Sequence, residues 1–179
     1  MADYSRYRYE PRGPYGGCDS DCGRVSGPYC PVRPSGLNAF GGLYNCEEQL
    51  ITLEEGCMET IPLHEPMASC NVTLRPNGIT INDGGNYRVD FLAVMQAVDC
   101  EMDATIAVYA NRTALLPLTL RIPLDDAVKY VSAFAIVTFN CGDELELVLS
   151  SASGGTVRLC PTLNTSLCVM RLGNSICPE

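Results

Sequence analysis

Only one lysine, Lys129, and one histidine, His64, occur in the chain. A lone histidine limits proton-transfer chemistry, since general acid–base sites rely most often on that side chain. His64 precedes Glu65, but Pro62 and Pro66 flank the pair and no companion histidine exists, so it reads as a loop residue. No Ser/His/Asp arrangement, phosphate-binding glycine loop or dinucleotide fingerprint is present, and no enzymatic activity is expected. No apolar run approaches the roughly 18 residues a membrane helix needs. The opening Met1-Ala2-Asp3-Tyr4-Ser5-Arg6 is polar and no apolar core of about 7–15 residues follows, so ordinary secretion is not expected. Glycine is frequent near the start, as in Gly13-Pro14-Tyr15-Gly16-Gly17, but no sustained Gly-X-Y period exists and no triple helix is expected.

Against these absences stand eleven cysteines in 179 residues. Such a load normally marks an oxidised, cross-linked extracellular protein. The count is odd, so complete intrachain pairing still leaves one thiol over. The net charge of −9 is unevenly spread. Residues 1–45 carry five arginines against four acids, whereas residues 46–179 carry seven basic residues against seventeen acids. A globular part that acidic is a poor partner for nucleic acid or anionic membranes.

Composition divides the chain at about residues 37–45. Residues 1–45 hold eight of the sixteen glycines, five of the twelve prolines and six of the nine tyrosines. The stretch from Tyr4 to Tyr15 has neither a helical nor a strand period, so it cannot bury a face of its own. Alone it reads as a disordered tail, and its Tyr and Arg are residues that partner interfaces favour. After Gly41 the pattern is that of a β protein. Tyr87, Val89, Phe91, Ala93, Met95 and Ala97 alternate with Arg88, Asp90, Leu92, Val94 and Gln96, predicting a strand with both faces partly apolar. Further strands are predicted at residues 106–110, 116–122, 128–139, 144–149 and 166–172. Turn chemistry separates them at Pro76-Asn77-Gly78, Asn82-Asp83-Gly84-Gly85, Asn140-Cys141-Gly142-Asp143 and Ser153-Gly154-Gly155. No segment is a convincing amphipathic helix. Many short strands with regular turns point to a sandwich or jelly roll, and two-faced apolar strands suggest that the outer face of one sheet is covered in an oligomer.

Particular residues then carry a resemblance. They are Ala39-Phe40-Gly41-Gly42-Leu43-Tyr44-Asn45, residues 49–56, Thr60-Ile61-Pro62-Leu63, residues 78–89 with Gly84-Gly85-Asn86-Tyr87, Cys141-Gly142-Asp143-Glu144-Leu145-Glu146-Leu147, and residues 164–172. In this order and spacing the chain resembles the C-terminal globular domain of the collagen-like exosporium glycoproteins of bacterial spores. The resemblance spans roughly residues 38–173. It implies a trimeric jelly roll of the tumour necrosis factor and complement-head type, made in the mother-cell cytoplasm without a secretion signal and placed on the spore surface. Two departures stand out. A short Gly/Pro/Tyr/Cys arm replaces the relatives' long Gly-X-Y stalk, and the normally cysteine-poor head here carries eight cysteines from Cys46 onward. They point away from a hair-like projection and toward covalent assembly, with thiols reduced during synthesis and oxidised after placement.

The expected organisation is an irregular arm over residues 1–37, an all-β jelly-roll domain over 38–173 and a tail over 174–179. The expected function is that of a structural subunit of a spore surface layer or appendage, a homotrimer that polymerises, with other spore-coat proteins as further partners. The alternative is a ligand- or receptor-binding trimeric head at a fibre tip. Interchain disulfides are expected first at Cys18, Cys22, Cys30 and Cys177. Cys46, Cys57, Cys70, Cys100, Cys141 and Cys160 are further disulfide candidates, with pairing open. Cys100 and Cys141 fall at strand ends and should be exposed, while Cys168 lies inside a strand alternation and should be a buried apolar thiol. Zinc binding by Cys18, Cys22, Cys30 and Cys46 is disfavoured, because the spacing lacks paired short knuckles. Asp99, Glu101 and Asp103 form an acidic turn better read as a solvated loop than as a calcium site. Asn71, Asn111 and Asn164 sit in glycosylation sequons read as chance matches. No cofactor or metal is expected.

Overall fold

The computed structural model describes residues 39–98, 100–161 and 165–173. Every regular element among them is a strand: β1 (Phe40–Asn45), β2 (Gln49–Leu53), β3 (Met58–Thr60), β4 (Glu65–Pro66), β5 (Val72–Arg75), β6 (Gly78–Ile81), β7 (Gly85–Ala97), β8 (Met102–Ala110), β9 (Thr113–Leu124), β10 (Lys129–Phe139), β11 (Glu144–Ser151), β12 (Gly155–Leu159) and β13 (Thr165–Gly173). All pairings between them are antiparallel.

They form two sheets of seven and six strands, an all-β jelly-roll sandwich. In the first sheet the long β7 pairs along one edge with β10, from Lys129 opposite Met95 to Phe139 opposite Gly85. Its other edge is shared. β13 takes Asn86 to Ala93 and β12 takes Met95 to Ala97. β1 and β4 extend the sheet beyond β13, and β2 extends it beyond β12. In the second sheet β11 pairs with β8 on one side and with β6 and β3 on the other, while β5 and β9 lie outermost. Pro117 and Pro123 sit in β9, which tolerates residues without an N–H because it is an edge strand.

The core is filled by the inward side of each alternation. Tyr87, Val89, Phe91, Ala93, Met95 and Ala97 are all buried, as the period of two along β7 predicts. Leu145, Leu147 and Leu149 on β11 and Ala104, Ile106 and Val108 on β8 face them from the second sheet with no exposed surface. Short strands such as β2 and β12 are less legible in the sequence, since five residues give only two or three turns of the alternation. They are placed by pairing with each other and with β7.

Two turns show how polar residues hold the sheets in register. Asn111 and Arg112 close β8 onto β9 with φ of 49° and 66°, the positive pair that a two-residue hairpin with the correct twist requires. The Asn111 side chain then reaches the β10–β11 turn. Its Nδ2 donates to Asp143 Oδ1 at 2.8 Å and its Oδ1 accepts from Glu144 N at 2.9 Å. Asp143 Oδ2 accepts from Asn140 N at 2.8 Å, so one carboxylate closes its own turn and ties it to the β8–β9 turn. At the β5–β6 turn, Asn77 takes φ of 65° after Pro76 and exchanges two bonds with Leu63, fixing the irregular segment before β4.

β1 begins and β13 ends at the same end of the sandwich, where Arg171 N donates to Ala39 O. The turns at residues 82–84, 111–112 and 140–143 lie there as well. The opposite end carries the turns at 54–57, 98–101, 125–128 and 152–154.

Candidate assembly face

The outer side of the first sheet is where the structure departs from an ordinary solvated surface. Outward positions of β7 are Arg88, Asp90 and Leu92, and the register sets neighbours beside each. Met170, Arg88 and Ile136 form one row across β13, β7 and β10, and Cys168, Asp90 and Phe134 form the next. Ser132 comes next on β10, in a row with Leu92 and Ser166, and Tyr130 lies one row beyond it beside Val94. Tyr130 is 78% exposed, and Phe134 and Ile136 are each 66% exposed. Met170 and Leu172 on β13 add to the patch. Single exposed apolar residues are ordinary, whereas a contiguous group on one flat sheet marks an interaction surface. The two-faced apolarity read from β7 and β10 is therefore present in three dimensions, with one face in the core and the other open in the single chain.

One charged pair interrupts this patch. Arg88 Nε bonds both carboxylate oxygens of Asp90 at 2.9 and 3.0 Å, and Nη2 reaches Oδ1 at 2.7 Å. The guanidinium carbon lies 4.8 Å from the Phe134 ring centroid, in cation–π range. The hydrogen bond to Asp90, reinforced by its charge, holds Arg88 protonated even more firmly than usual. These residues were visible in the sequence only as the polar half of an alternation. Their grouping with Phe134 depends on strand pairing across some forty residues.

Cys168 corrects a sequence expectation. It points outward, because Leu167 and Val169 occupy the inward positions of β13. The thiol is half-buried, with Sγ 3.5 Å from Met67 Sδ. Gly42 makes this close approach feasible, since a Cβ there would fall 2.8 Å from Met67 Sδ and 2.9 Å from Cys168 Sγ. Burial pushes the Cys168 thiol pKa up, and the Asp90 carboxylate adds to the effect. Cys160, half-buried after β12, is likewise raised by burial, with Arg158 opposing and Glu48 reinforcing.

The remaining cysteines scatter around the sandwich. Cys57 and Cys100 are exposed in turns at one end, Cys141 is exposed at the other, and Cys46 is exposed just after β1. Exposure of Cys100 and Cys141 agrees with their expected place at strand ends. Cys70 is half-buried and pairs its backbone with Phe40 in both directions. Cys18, Cys22, Cys30 and Cys177 lie outside the described residues, as do Asp99 and Asn164.

The other candidates resolve into structural roles. Glu101, Asp103 and Asp125 border a hollow of about 320 Å³. Asp103 is paired with Arg121 and Asp125 with Lys129, each at 2.8 Å, so two of these three acids are already paired with neighbouring cations. Among the described residues no group of three His, Cys, Asp or Glu is placed to hold a metal ion. His64 is exposed, with its ring 3.5 Å from the Gln49 amide. The Asn111 amide is engaged with Asp143, and Asn71 occupies a left-handed turn with φ of 52°.

No protein-family model matches this chain, and no curated protein matches it in sequence. Among solved structures it is similar to murine APRIL at pH 5.0, with a TM-score of 0.56 and 13% identity over 75% of this chain and 98% of that one. It is similar to the Eiger TNF of S. frugiperda, with a TM-score of 0.56 and 12% identity over 79% and 95%. The globular domain of zebrafish complement 1qA gives 0.52 and 10% over 76% and 99%. At such identities the likeness is one of fold: this is a jelly roll of the tumour necrosis factor and C1q-head kind.

Proposed function

We propose that this chain is a structural subunit that self-associates as a homotrimer through the outer face of its first sheet, and that it builds a bacterial spore surface layer or appendage. The observation that carries self-association is the exposed apolar group Tyr130, Phe134, Ile136 and Met170 on one sheet face. Removing such surface from water is the main driving force of association. The trimer fits the tumour necrosis factor and C1q-like fold, whose heads are typically trimeric. The spore setting rests on the resemblance of residues 38–173 to the exosporium head domains. Covalent cross-linking rests on cysteine number and placement, with Cys46, Cys57, Cys100 and Cys141 exposed on the head and Cys18, Cys22, Cys30 and Cys177 in the flanking segments.

The test is light-scattering mass analysis of the full chain in reductant, followed by non-reducing electrophoresis after oxidation. The reading expects three times the 19.4 kDa chain mass in reductant and a ladder of larger species after oxidation. A 19.4 kDa particle under both conditions removes it. A second reading, a ligand-binding head, is favoured by one observation: chain entry and exit share one end of the sandwich, leaving the loops of the other end open to a ligand. Deleting residues 1–37 separates the two. A polymer subunit then forms trimers without filaments, whereas a tip protein keeps its binding.

A further inference from the structure

The Arg88–Asp90 pair raises a question that the trimer reading leaves open. Along the outward rows of β7, β10 and β13, these are the only two charged side chains. The chain as a whole carries −9, so most of its surface repels a second copy. This face is locally neutral, with both signs side by side and apolar residues around them. Around a three-fold axis, each copy can set one charge of its pair against the opposite charge of the next copy. The existing contacts use the Nε–H and one Nη2–H of Arg88, leaving the two Nη1 donors and the second on Nη2, while each Asp90 oxygen keeps acceptor capacity beyond the bonds it makes. Stacking on Phe134 holds the guanidinium in place before any partner arrives, which lowers the ordering cost of a contact.

Resting on the trimer reading above, we infer that Arg88 and Asp90 are the specificity-determining contact between copies of this chain, with Arg88 of one copy bonding Asp90 of the next when the face closes. The occupant is a second copy because the patch is self-complementary in charge, and an acidic chain meets least repulsion there. Neutralising one member would leave the other charged and unpaired in a closed apolar contact, which is far worse than removing both. The pair therefore acts against wrong partners and wrong registers more than it adds affinity.

The experiment uses full-length protein in reductant, so that disulfides cannot hold copies together. Mass photometry and sedimentation compare the wild type with Asp90→Asn, and thermal melts confirm that the variant folds. Asp90→Asn should raise the concentration of half-assembly at least tenfold. The charge-swapped chain, Arg88→Asp with Asp90→Arg, should assemble with itself yet be excluded from wild-type oligomers when mass-tagged forms are mixed. An internal pair with no role between copies would leave mixing free. Unchanged assembly of Asp90→Asn, free co-assembly of the swapped chain, or its failure to self-assemble overturns the inference. A monomeric wild type is a different result and removes the trimer reading itself.

Discussion

The junction of Asn111 with Asp143 permits a quantitative test of how the two turns at one end of the sandwich support each other. Asp143 accepts from the Asn111 side chain and from the Asn140 backbone, both at 2.8 Å. Replacing Asp143 by Ala removes two hydrogen bonds to a charged group. Each would contribute about 1.5–3 kcal/mol if shielded, but the site is open to water, so a total of roughly 2 kcal/mol is expected. For a chain of this size that corresponds to a fall in Tm of about 4–8 °C. Asn111→Gly is the right partner variant, because glycine keeps the positive φ of 49° while deleting the amide. The double-mutant cycle isolates the direct contact, for which a coupling of about 0.5–1.5 kcal/mol is expected by urea denaturation at fixed protein concentration. A coupling below about 0.3 kcal/mol would refute the assignment of this bond as the link between the turns.

Three further outcomes are expected. Tyr87 is buried, donates to Asp83 O at 2.7 Å, and has its pKa raised above 10.0, first by burial, with Arg171 opposing. The unfolded chain therefore loses this proton first, so the stabilising contribution is complete below about pH 10 and is lost as pH rises toward the folded pKa; Tyr87→Phe should flatten that alkaline loss in pH-dependent denaturation. At pH 8, Cys160 and Cys168 should be alkylated at least about tenfold more slowly than Cys57 and Cys100, read by peptide mass spectrometry, because burial disfavours their thiolates. Arg112 occupies φ of 66° without the freedom of glycine, so Arg112→Gly should stabilise the β8–β9 hairpin by about 0.5–1 kcal/mol in the same denaturation assay.

How far the fold was legible depended on strand length. The period-two pattern of β7 and β11 declared both elements, and for β11 the side that Leu145, Leu147 and Leu149 share, and the turns at Asn77-Gly78 and Asn140 to Asp143 declared where the chain reverses. β3, β4 and β12 are too short for periodicity to separate them from loop. They exist because longer neighbours supply their hydrogen-bonding partners. Cys168 shows the same limit at one residue. An apolar strand context is compatible with either face, and only the inward placement of Leu167 and Val169 sends the thiol outward under Met67.

By itself the sequence determined an all-β head, a shortage of catalytic side chains, an excess of cysteine and strands apolar on both sides. Those properties are local: side-chain alternation and composition are written along the chain. The tertiary structure decided which apolar side became the core and which became an open face. It also decided that Arg88, Asp90 and Phe134 meet and that the exposed thiols divide between opposite ends. Those outcomes follow from pairing between strands distant in sequence, and register across a sheet is a property no single strand carries.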